Sequence, residues 1–434
     1  MNPLADELNK ILDNTIVGRL LSNLGRRFYF PKGIIAQTAE AGKMASFANG
    51  TIGMAYSNGK PLILSAIADN TASLSPEESV AYSPTAGVEK ARTVWKDRMI
   101  QKNPSLSSQN ISLPVVVPGL TSGLSCTADM FISKGSGIIV SEPCWDNYSL
   151  IYEVRRGAEM IPVKFFGEGQ GLDIEEISAA VTRMAKSGAA RILFNFPNNP
   201  SGYSPTTEEA EKLVSLIRKT ADEGADVLVI CDDAYFGLFY EDNISRESLF
   251  ARFANIHERV LAIKIDGPIK EDYVWGLRTG FLTIGSKSLD QSHFEAFNKK
   301  LMGAIRSSVS SSNTSAQHLV LKALDDPRSD GEKLTYKEMM QRRYNLVKSF
   351  INDNPNHKAL KPLPFNSGYF MCFQTSVDAE ILRQELLAKF GIGVISLGEH
   401  CLRIAFSGID EEKITEVYRH IYDCAAKLAS NGTL

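Results

Sequence analysis

Several features are missing or rare in this sequence. In 434 residues, no stretch approaches the ~20 consecutive apolar residues that a membrane-spanning helix needs. The N-terminus, Met1–Glu7, lacks the basic start and apolar run of a secretory signal. Lysine and arginine form no block, and the formal net charge is −3, which argues against a nucleic-acid-binding surface. No internal repeat or low-complexity tract is present. These absences predict a cytoplasmic protein that binds neither membrane nor nucleic acid.

Cysteine is sparse, and its spacing is uninformative. The six cysteines are dispersed, with no Cys-x-x-Cys pair, which predicts buried free thiols in a reducing compartment rather than a disulfide framework. The six histidines show no metal-ligand spacing, and His400 beside Cys401 is too small a cluster to count, so no metal site is predicted. The cysteines are Cys126, Cys144, Cys231, Cys372, Cys401 and Cys424.

The length and composition are those of a soluble globular protein with two domains, since 44% of residues are hydrophobic and 22% are charged. Short apolar runs rich in valine and isoleucine alternate with helical patterns through the middle of the chain. This alternation predicts an α/β fold, in which helices cover both faces of a mostly parallel sheet. The candidate strands are residues 113–117, 137–141, 191–196, 227–231, 260–265 and 281–284.

One helix is marked at both ends. Thr206 and Glu209 have the spacing of a capping box, apolar residues then recur at helical spacing, and Gly224 is a plausible stop.

The C-terminal part has a different pattern. A helix is predicted at about 337–350, short strands at 369–373, 394–396 and 402–405, and a last helix from Asp410 to about Ala429. This is an α+β arrangement, typical of a smaller domain. We therefore expect three parts. Residues 1–75 form an N-terminal arm and small-domain segment, residues 76–325 a large domain, and residues 326–434 a small C-terminal domain.

Three motifs follow one another in a telling order. Lys270 lies six residues before a Gly-Leu-Arg-Thr-Gly run at 276–280. Upstream lie Asn-Asn-Pro-Ser-Gly at 198–202 and Asp-Asp-Ala-Tyr at 232–235. In order and approximate spacing, these segments resemble the cofactor-binding segments of the class I and II pyridoxal-phosphate aminotransferases of fold type I. The resemblance covers residues from about 50 to 408 and is greatest for the aspartate and aromatic aminotransferases. It implies pyridoxal 5′-phosphate as cofactor.

By this resemblance, Lys270 holds the cofactor aldehyde as a Schiff base and moves the substrate α-proton as a general base. The plainer interpretation is a surface lysine in a loop, beside Glu271 and Asp272. The rival is Lys264 on the preceding predicted strand, but it lies twelve residues from Gly276 rather than six.

Asp232 ends a predicted strand, where ligands of α/β proteins bind. The resemblance implies that Asp232 pairs with the pyridine nitrogen, and that Tyr235 and Asn199 hydrogen-bond to the phenolic oxygen of the cofactor. Asp233 is the neighbour that would serve equally well as a helix or turn cap.

The phosphate is expected to lie against Arg278, which can contact it with two nitrogens. Gly119, Leu120 and Thr121 follow a predicted strand and open a helix, whose first N–H groups favour an anion. Relatives usually carry a serine or threonine three residues before the lysine. Here that residue is Gly267.

Further segments carry the same resemblance. Trp145 is implied to stack on the cofactor ring, although a core tryptophan is the plainer interpretation; aspartate-type relatives have a histidine where this chain has Tyr148. Tyr82 is implied to reach the phosphate of a neighbouring subunit, which would make the protein a homodimer. Arg403 is implied to bind the substrate α-carboxylate, and Gly53 lies in a segment that resembles another part of the active site.

The expected reaction is a ping-pong transfer of an amino group from an L-amino acid to a 2-oxo acid such as 2-oxoglutarate. Arg306 falls near the position from which dicarboxylate-specific relatives extend an arginine into the partner's site, and a helix-terminal arginine is the plainer interpretation. Phe28–Pro31 is aromatic and could line a pocket for larger side chains. A lyase or decarboxylase of the same fold is the main alternative. A ligand-sensing domain without catalysis is disfavoured, because residues 1–75 are short and not basic.

Overall fold

The structure is a computed structural model, and it describes residues 1–12, 27, 33–51, 53–167 and 171–430. In chain order, the helices of this part are α1 (Pro3–Leu12), α2 (Ile34–Met44), α3 (Ser65–Asn70), α4 (Pro76–Ser79), α5 (Glu89–Lys102), α6 (Leu120–Phe131), α7 (Ile174–Ala185), α8 (Thr207–Asp222), α9 (Leu249–Phe253), α10 (Gln291–Ser308), α11 (Thr314–Asp325), α12 (Arg328–Asp353), α13 (Ala379–Phe390) and α14 (Ile414–Ser430).

The strands are β1 (Ala48–Asn49), β2 (Tyr56–Ser57), β3 (Lys60–Pro61), β4 (Val115–Val117), β5 (Gly137–Glu142), β6 (Glu159–Lys164), β7 (Ala189–Asn195), β8 (Asp226–Asp232), β9 (Val260–Asp266), β10 (Gly280–Gly285), β11 (Leu360–Pro362), β12 (Phe370–Thr375), β13 (Ile392–Gly393), β14 (Ile395–Ser396) and β15 (Cys401–Ala405).

The large sheet has seven strands in the order β4-β10-β9-β8-β7-β5-β6. Strand β10 is antiparallel to both of its neighbours, and the other pairs are parallel. The central strands are buried along nearly their whole length, because helices pack on both faces of the sheet and form an apolar cluster with each face. The predicted α/β fold is confirmed, and each of the six predicted strands of this sheet is present.

One strand of the large sheet was not predicted from the sequence. Strand β6 pairs in parallel with β5 at the edge of the sheet, and three of its six residues, Glu159, Pro162 and Lys164, are exposed. Its sequence, Glu-Met-Ile-Pro-Val-Lys, contains a proline and charged ends, which are typical of an edge strand. These residues weaken the apolar pattern by which the inner strands are recognised.

The predicted capping box on α8 is present. The Thr206 side chain accepts a hydrogen bond from the Glu209 backbone N–H, and the Glu209 carboxylate accepts one from the Thr206 N–H. Gly224 follows the helix end with a φ of +99°, as a glycine stop requires. The last helix begins later than expected, because a 3₁₀ turn at Glu411–Lys413 precedes α14.

A second, smaller sheet has the order β11-β12-β15-β14, and its pairs are antiparallel. The N-terminal segment joins this part of the molecule through β1, which pairs in parallel with β13. The smaller α+β domain therefore combines C-terminal elements with an N-terminal segment. The domain boundaries after residues 75 and 325 stay a prediction.

The parallel strands end at a common edge of the large sheet. Asn195 and Asp232 are the last residues of β7 and β8, Lys270 follows β9 after three residues, and Gly119 lies two residues beyond β4. Because the carboxyl ends of parallel strands meet at one edge, these four residues come from distant parts of the chain to a single place.

Candidate active site

A cavity of about 380 Å³ lies at this edge, between the large sheet and the smaller one. The residues that line it come from both sheets and from helix α2. Those predicted from the sequence are Gly53, Leu120, Thr121, Trp145, Asn199, Asp232, Tyr235, Lys270, Arg278 and Arg403.

Lys270 extends into the cavity from the loop after β9. Its Nζ donates a hydrogen bond to the backbone oxygen of Gly53, 2.9 Å away, and lies 4.9 Å from the centre of the Tyr235 ring. Burial, together with the positive charges of Arg278 and Arg403, lowers the pKa of Lys270 to about 7. The Lys270 amine is therefore present in both protonation states near neutral pH.

The rival lysine has different surroundings. Lys264 is fully buried, pairs with Asp233 and Asp266, and lies 4.8 Å from the centre of the Phe236 ring. The two carboxylates raise the pKa of Lys264 although burial opposes them, so this lysine stays protonated. Lys264 does not line the cavity. Asp233 was expected to be the structural neighbour of Asp232, and its carboxylate accepts hydrogen bonds from Lys264 and from the Ser248 hydroxyl.

Asp232 is buried at the end of β8, and its two carboxylate oxygens differ. Oδ2 accepts a hydrogen bond from the Tyr148 hydroxyl at 2.6 Å, whereas Oδ1 has no hydrogen-bond partner among the described residues. Burial raises the pKa of Asp232 to about 6, while the hydrogen bond from Tyr148 opposes that rise.

Arg403 lies on β15, opposite the sheet edge that carries Asp232. Its Nη1 donates to Asn199 Oδ1 at 3.1 Å, and its Nη2 donates to the backbone oxygen of Thr51 at 3.0 Å. The guanidinium carbon lies 4.5 Å from the centre of the Phe370 ring. Nε has no partner among the described residues. This buried cation is thus oriented by neutral groups, with no carboxylate within ion-pair distance in the described part of the chain.

The turn after β4 is shaped for a close approach. Gly119 has a φ of +84°, and helix α6 begins at Leu120 directly after it. A Cβ at position 119 would lie 2.5 Å from Nη2 of Arg278, so only glycine allows that guanidinium against the helix start. Thr121 lies in the first turn of the helix and lines the cavity. Helix N–H groups and a guanidinium converge here.

Gly267 lies where relatives carry a hydroxyl, and the structure gives a packing reason for its size. A Cβ at this position would lie 2.8 Å from the backbone oxygen of Thr279 and 3.1 Å from the Gly280 Cα. The backbone of the following strand occupies the space that a serine or threonine side chain would need.

Trp145 lines the cavity and is partly buried. Its ring meets Tyr148 edge to face, with centroids 5.4 Å apart and an interplanar angle of 82°. Tyr148 in turn bonds to Asp232, so the two aromatic residues and the carboxylate form one continuous wall.

Two predicted residues lie away from the cavity of the single chain. Tyr82 is 93% exposed. Arg306 is exposed in the last turn of α10, where its Nη1 donates to the Ser310 hydroxyl at 2.8 Å. Both were predicted to act in a partner's site, and this part of the prediction stays open. The aromatic stretch Phe28–Pro31 lies outside the described residues.

Several lining residues were not predicted. Asn195 connects two of the predicted positions, because its side chain donates to the backbone oxygen of Asp232 and accepts from the Asn199 N–H, both at 2.8 Å. Asn195 ends an apolar strand three residues before the Asn-Asn-Pro motif, and this position could have indicated in the sequence that it belongs to the site. The other unpredicted residues that line the cavity are Ile34, Thr38, Thr51, Leu124, Tyr148, Ala234, Ile269 and Phe370.

Helix α2 brings Ile34 and Thr38 to the cavity. It is attached to the smaller sheet by Gln37, whose side chain donates to the Ser396 backbone oxygen at 3.1 Å and accepts from the Ser396 N–H at 2.8 Å. The two residues are 359 positions apart in the sequence, so no local pattern could have indicated this contact.

The described residues contain no group of three or more His, Cys, Asp or Glu side chains that could hold a metal ion. Within the same ranges, no helix has the length and apolar character needed to span a membrane.

Comparisons with known proteins agree with this geometry. Residues 53–421 match the sequence model of the family described as "Aminotransferase class I and II". A probable aspartate/prephenate aminotransferase of Aquifex aeolicus is 24% identical over 359 residues, which are 80% of this chain and 83% of that protein. An aspartate aminotransferase of Thermotoga maritima is also 24% identical, over 71% of this chain and 74% of that protein.

Solved structures share the fold. An aminotransferase from Anaerococcus prevotii superposes with a TM-score of 0.82 at 21% identity, covering 95% of this chain and 99% of that one. The aspartate aminotransferase of Thermus thermophilus with maleate has a TM-score of 0.74 at 20% identity, over 93% and 99% of the two chains.

Proposed function

Since this chain belongs to the family of class I and class II aminotransferases, whose members use pyridoxal phosphate, we propose that it binds pyridoxal 5′-phosphate in the cavity and transfers an amino group from an L-amino acid to a 2-oxo acid by a ping-pong reaction. One observation carries the proposal. An amine with a pKa of about 7, Lys270, lines the same cavity as a buried carboxylate with an unpartnered oxygen, Asp232.

The carboxylate fits the cofactor ring. An unpartnered oxygen of a buried carboxylate costs free energy unless it accepts a hydrogen bond. A protonated pyridine nitrogen beside Oδ1 of Asp232 would supply that bond together with a balancing positive charge, while Tyr148 already occupies Oδ2.

The turn after β4 fits the phosphate. The N-terminus of α6 presents backbone N–H groups, and Arg278 adds a guanidinium beside Gly119. Thr121 adds a hydroxyl from the first helical turn. We assign to this group the role that a serine or threonine at position 267 has in relatives, because the backbone leaves no room for a side chain there.

When bound, pyridoxal phosphate supplies a positively charged ring that withdraws electrons from the substrate α-carbon. Lys270 would accept the proton from that carbon and deliver it to C4′ of the cofactor, since a pKa near 7 lets the amine take up and release a proton at neutral pH. Asp232 keeps the ring nitrogen protonated while the carboxylate itself is ionised. Tyr235 and Asn199 are proposed to bond to the phenolic oxygen, and Trp145 to cover one face of the ring.

Arg403 is proposed to bind the substrate α-carboxylate. Its guanidinium is buried and faces neutral groups, so a carboxylate entering the cavity would be the nearest partner of opposite charge. Gly53 lies beside Lys270 on the same wall, where a Cβ would come within 3.1 Å of the Phe370 ring and 3.6 Å of the Lys270 Nζ. A larger side chain at this position would occupy substrate space.

The proposed amino donors are aspartate and glutamate or an aromatic amino acid, with 2-oxoglutarate as an acceptor. The names of the relatives support the acidic class, and Arg306 of a second subunit is the side chain we assign to a distal carboxylate. Ile34 and Phe370 in the cavity wall support the aromatic class, because they offer apolar contact.

We propose that the active enzyme is a homodimer with shared sites. Tyr82 stands out from the surface on a segment held against residues 312–314, since Ser83 donates to the Ser312 backbone oxygen and Thr314 donates to the Ala81 backbone oxygen, both at 2.7 Å. Arg306 lies just before that segment. A partner packed on this surface would receive both side chains.

The test is spectroscopic. The purified protein is saturated with pyridoxal phosphate, and its visible absorption is followed on addition of aspartate, glutamate or phenylalanine, then of 2-oxoglutarate. Bleaching by a donor and recovery with the 2-oxo acid establish an aminotransferase and its donor class. Release of ammonia or carbon dioxide in step with turnover would instead establish the lyase or decarboxylase alternative.

The cofactor lysine is identified in the same sample. Reduction with borohydride makes the cofactor linkage permanent, and peptide mapping then distinguishes Lys270 from Lys264. Modification of Lys264, or an unchanged spectrum in Lys270→Ala, overturns the assignment. Size-exclusion chromatography with light scattering tests the dimer.

A further inference from the structure

Two of the six cysteines lie in contact, although they are 29 residues apart in the sequence. Cys372 is on β12 and Cys401 begins β15, and their Sγ atoms are 2.7 Å apart. Both are free thiols. Neither cysteine lines the cavity, and none of the roles discussed above uses their contact.

The strand register explains the contact and places it beside Arg403. Cys372 is directly opposite Arg403, and Gln374 is opposite Cys401. Residues directly opposite each other, and residues two apart on one strand, lie on the same face of a sheet. The two thiols therefore lie diagonally across the strand pair, on the face that carries the Arg403 side chain.

The two cysteines differ in exposure. Cys372 is fully buried, whereas Cys401 is partly exposed at the start of its strand. A small oxidant can therefore reach one sulfur, while the second is held against it and shielded from solvent. This is the arrangement of an attacking thiol with an adjacent resolving thiol.

We propose that Cys372 and Cys401 form a redox modification site, which a peroxide converts to a disulfide beside the substrate-binding arginine. In the first step, the Cys401 sulfur attacks one peroxide oxygen, the O–O bond breaks, and water and a sulfenic acid result. In the second step, the Cys372 thiol attacks the Cys401 sulfur, the S–S bond forms, and a second water leaves. Overall, two thiols are oxidised and hydrogen peroxide is reduced to two molecules of water.

The bond would join β12 to β15 covalently beside Arg403. A disulfide is ~2.05 Å long, and the two sulfurs are already 2.7 Å apart. Because Cys401 is two residues before Arg403, this covalent link would constrain the backbone that positions the guanidinium against Asn199 and Thr51. The predicted effect is weaker binding of the amino donor, and this second part rests on the proposed function of Arg403.

The other cysteines provide internal controls. Burial raises the pKa of Cys144 to about 12, and it also raises the pKa of Cys372, so Cys372 is distinguished from Cys144 by its contact with Cys401. Cys126 and Cys231 are buried in the large sheet and its helices, and Cys424 is buried on α14. In the described ranges, none of these four cysteines has another cysteine as a hydrogen-bond partner.

The experiment treats the holoenzyme with hydrogen peroxide and measures free thiols, intact mass and kinetics before and after reduction by dithiothreitol. We expect the loss of two thiols, a mass decrease of about 2 Da, and a peptide that links Cys372 to Cys401. We also expect KM for the amino donor to rise about tenfold with little change in kcat, and reduction to restore it. In Cys372→Ser, the link cannot form and the reversible KM change should disappear.

The outcomes are separable. Failure to form the Cys372–Cys401 link, or a link between other cysteines, overturns the modification site. A link without a change in KM overturns its connection to Arg403. Absence of transamination in the untreated, reduced enzyme contradicts the proposed function but leaves the thiol chemistry to be judged by the mass and thiol measurements alone.

Discussion

The Tyr148 hydroxyl donates a 2.6 Å hydrogen bond to Oδ2 of Asp232, and both side chains are buried. The bond favours the ionised form of the carboxyl, whereas burial favours the protonated form and prevails, since the pKa of Asp232 is raised to about 6. The pKa of Asp232 is therefore close enough to neutral pH that the loss of this one hydrogen bond would change the charge of the carboxylate.

A second tyrosine provides the comparison. Tyr152 is also fully buried, its ring centroid is 6.3 Å from that of Tyr148, and its hydroxyl has no hydrogen-bond partner among the described residues. Removing either hydroxyl deletes one buried oxygen, but only the Tyr148 hydroxyl touches the carboxylate.

Tyr148→Phe is expected to weaken cofactor binding at acidic pH. A hydrogen bond to a charged group contributes about 1.5–3 kcal/mol, so its loss should raise the pKa of Asp232 by about 1 to 2. A higher pKa means that the Asp232 carboxylate becomes protonated at a higher pH as the pH is lowered. Because the neutral carboxyl no longer balances the charge of the ring nitrogen, the affinity for pyridoxal phosphate should begin to fall at a higher pH than in the wild type. The dissociation constant, measured by fluorescence quenching from pH 5 to 8, checks this.

The matched control is Tyr152→Phe, whose pH dependence should coincide with that of the wild type. Equal shifts in both variants, or none in Tyr148→Phe, would show that the hydrogen bond does not control the protonation of Asp232.

The amine of Lys270 should react far below the pH that a lysine normally needs. With a pKa of about 7, it is deprotonated across most of the range from 7 to 10.5, where an ordinary lysine is still protonated. Labelling of the apo-protein with a trace amine reagent, followed by mass spectrometry of the peptide, should give a midpoint near pH 7. Lys264, held by two carboxylates, is the control and should stay unlabelled.

The same pKa has a consequence for stability. Between about pH 7 and 10.5 the unfolded chain binds a proton at Lys270 that the folded protein does not, so this residue makes the apo-protein more stable as pH rises through that window. Lys270→Ala should lose this contribution to the pH dependence of the unfolding free energy.

In the labelling experiment, a midpoint for Lys270 above pH 9 would contradict the buried position of the amine.

Gly267→Ser should destabilise the protein instead of restoring a phosphate ligand. The new Cβ would meet backbone atoms of Thr279 and Gly280, which cannot move aside as a side chain end can. Overpacking of this kind costs about 1–3 kcal/mol, which thermal unfolding of the apo-protein should detect. Gly276→Ala is the control, because a Cβ there meets nothing within 4 Å. Tighter cofactor binding in Gly267→Ser with unchanged stability would refute this explanation.

Much of the large sheet could be predicted because its information is local. The inner strands are apolar on both faces, and the capping box of Thr206 and Glu209 marks the N-terminus of α8. The motif that contains Asp232 directly follows a predicted strand, and the motif that contains Lys270 and Arg278 lies in the connection between two predicted strands. Their convergence at one edge then follows from the parallel arrangement.

The contacts that join the two sheets could not be predicted from local patterns. Gln37 meets Ser396 across 359 residues, and nothing in the neighbourhood of either residue indicates the other. The same holds for the contact between Cys372 and Cys401, which depends on the register of β12 and β15. Tyr148 looked like a departure from the histidine of relatives, and its role toward Asp232 became visible only in the geometry.

The loop that carries Lys270 is held by an ion pair from each of two helices. Asp272 Oδ1 lies 3.3 Å from Arg98 of α5 and 3.1 Å from Lys333 of α12, and its side chain is only 4% exposed. Asp272→Asn would leave Arg98 without an ion-pair partner among the described residues, in a largely buried place, and would leave Lys333 with Asp330 alone. We expect a loss of about 3–5 kcal/mol in unfolding free energy, measured by urea denaturation of the apo-protein.

Glu271→Gln is the control on the same loop. Glu271 pairs with Lys102, and its side chain is 27% exposed, so water can replace the lost contact. The expected cost is at most about 1 kcal/mol. A further comparison distinguishes an effect on stability from an effect on the position of Lys270. If Asp272 fixes the loop, the pH midpoint for labelling of Lys270 should change in Asp272→Asn at a temperature where the variant remains folded. Equal stability losses in the two variants would mean that the bridge between α5 and α12 contributes no more than a surface ion pair.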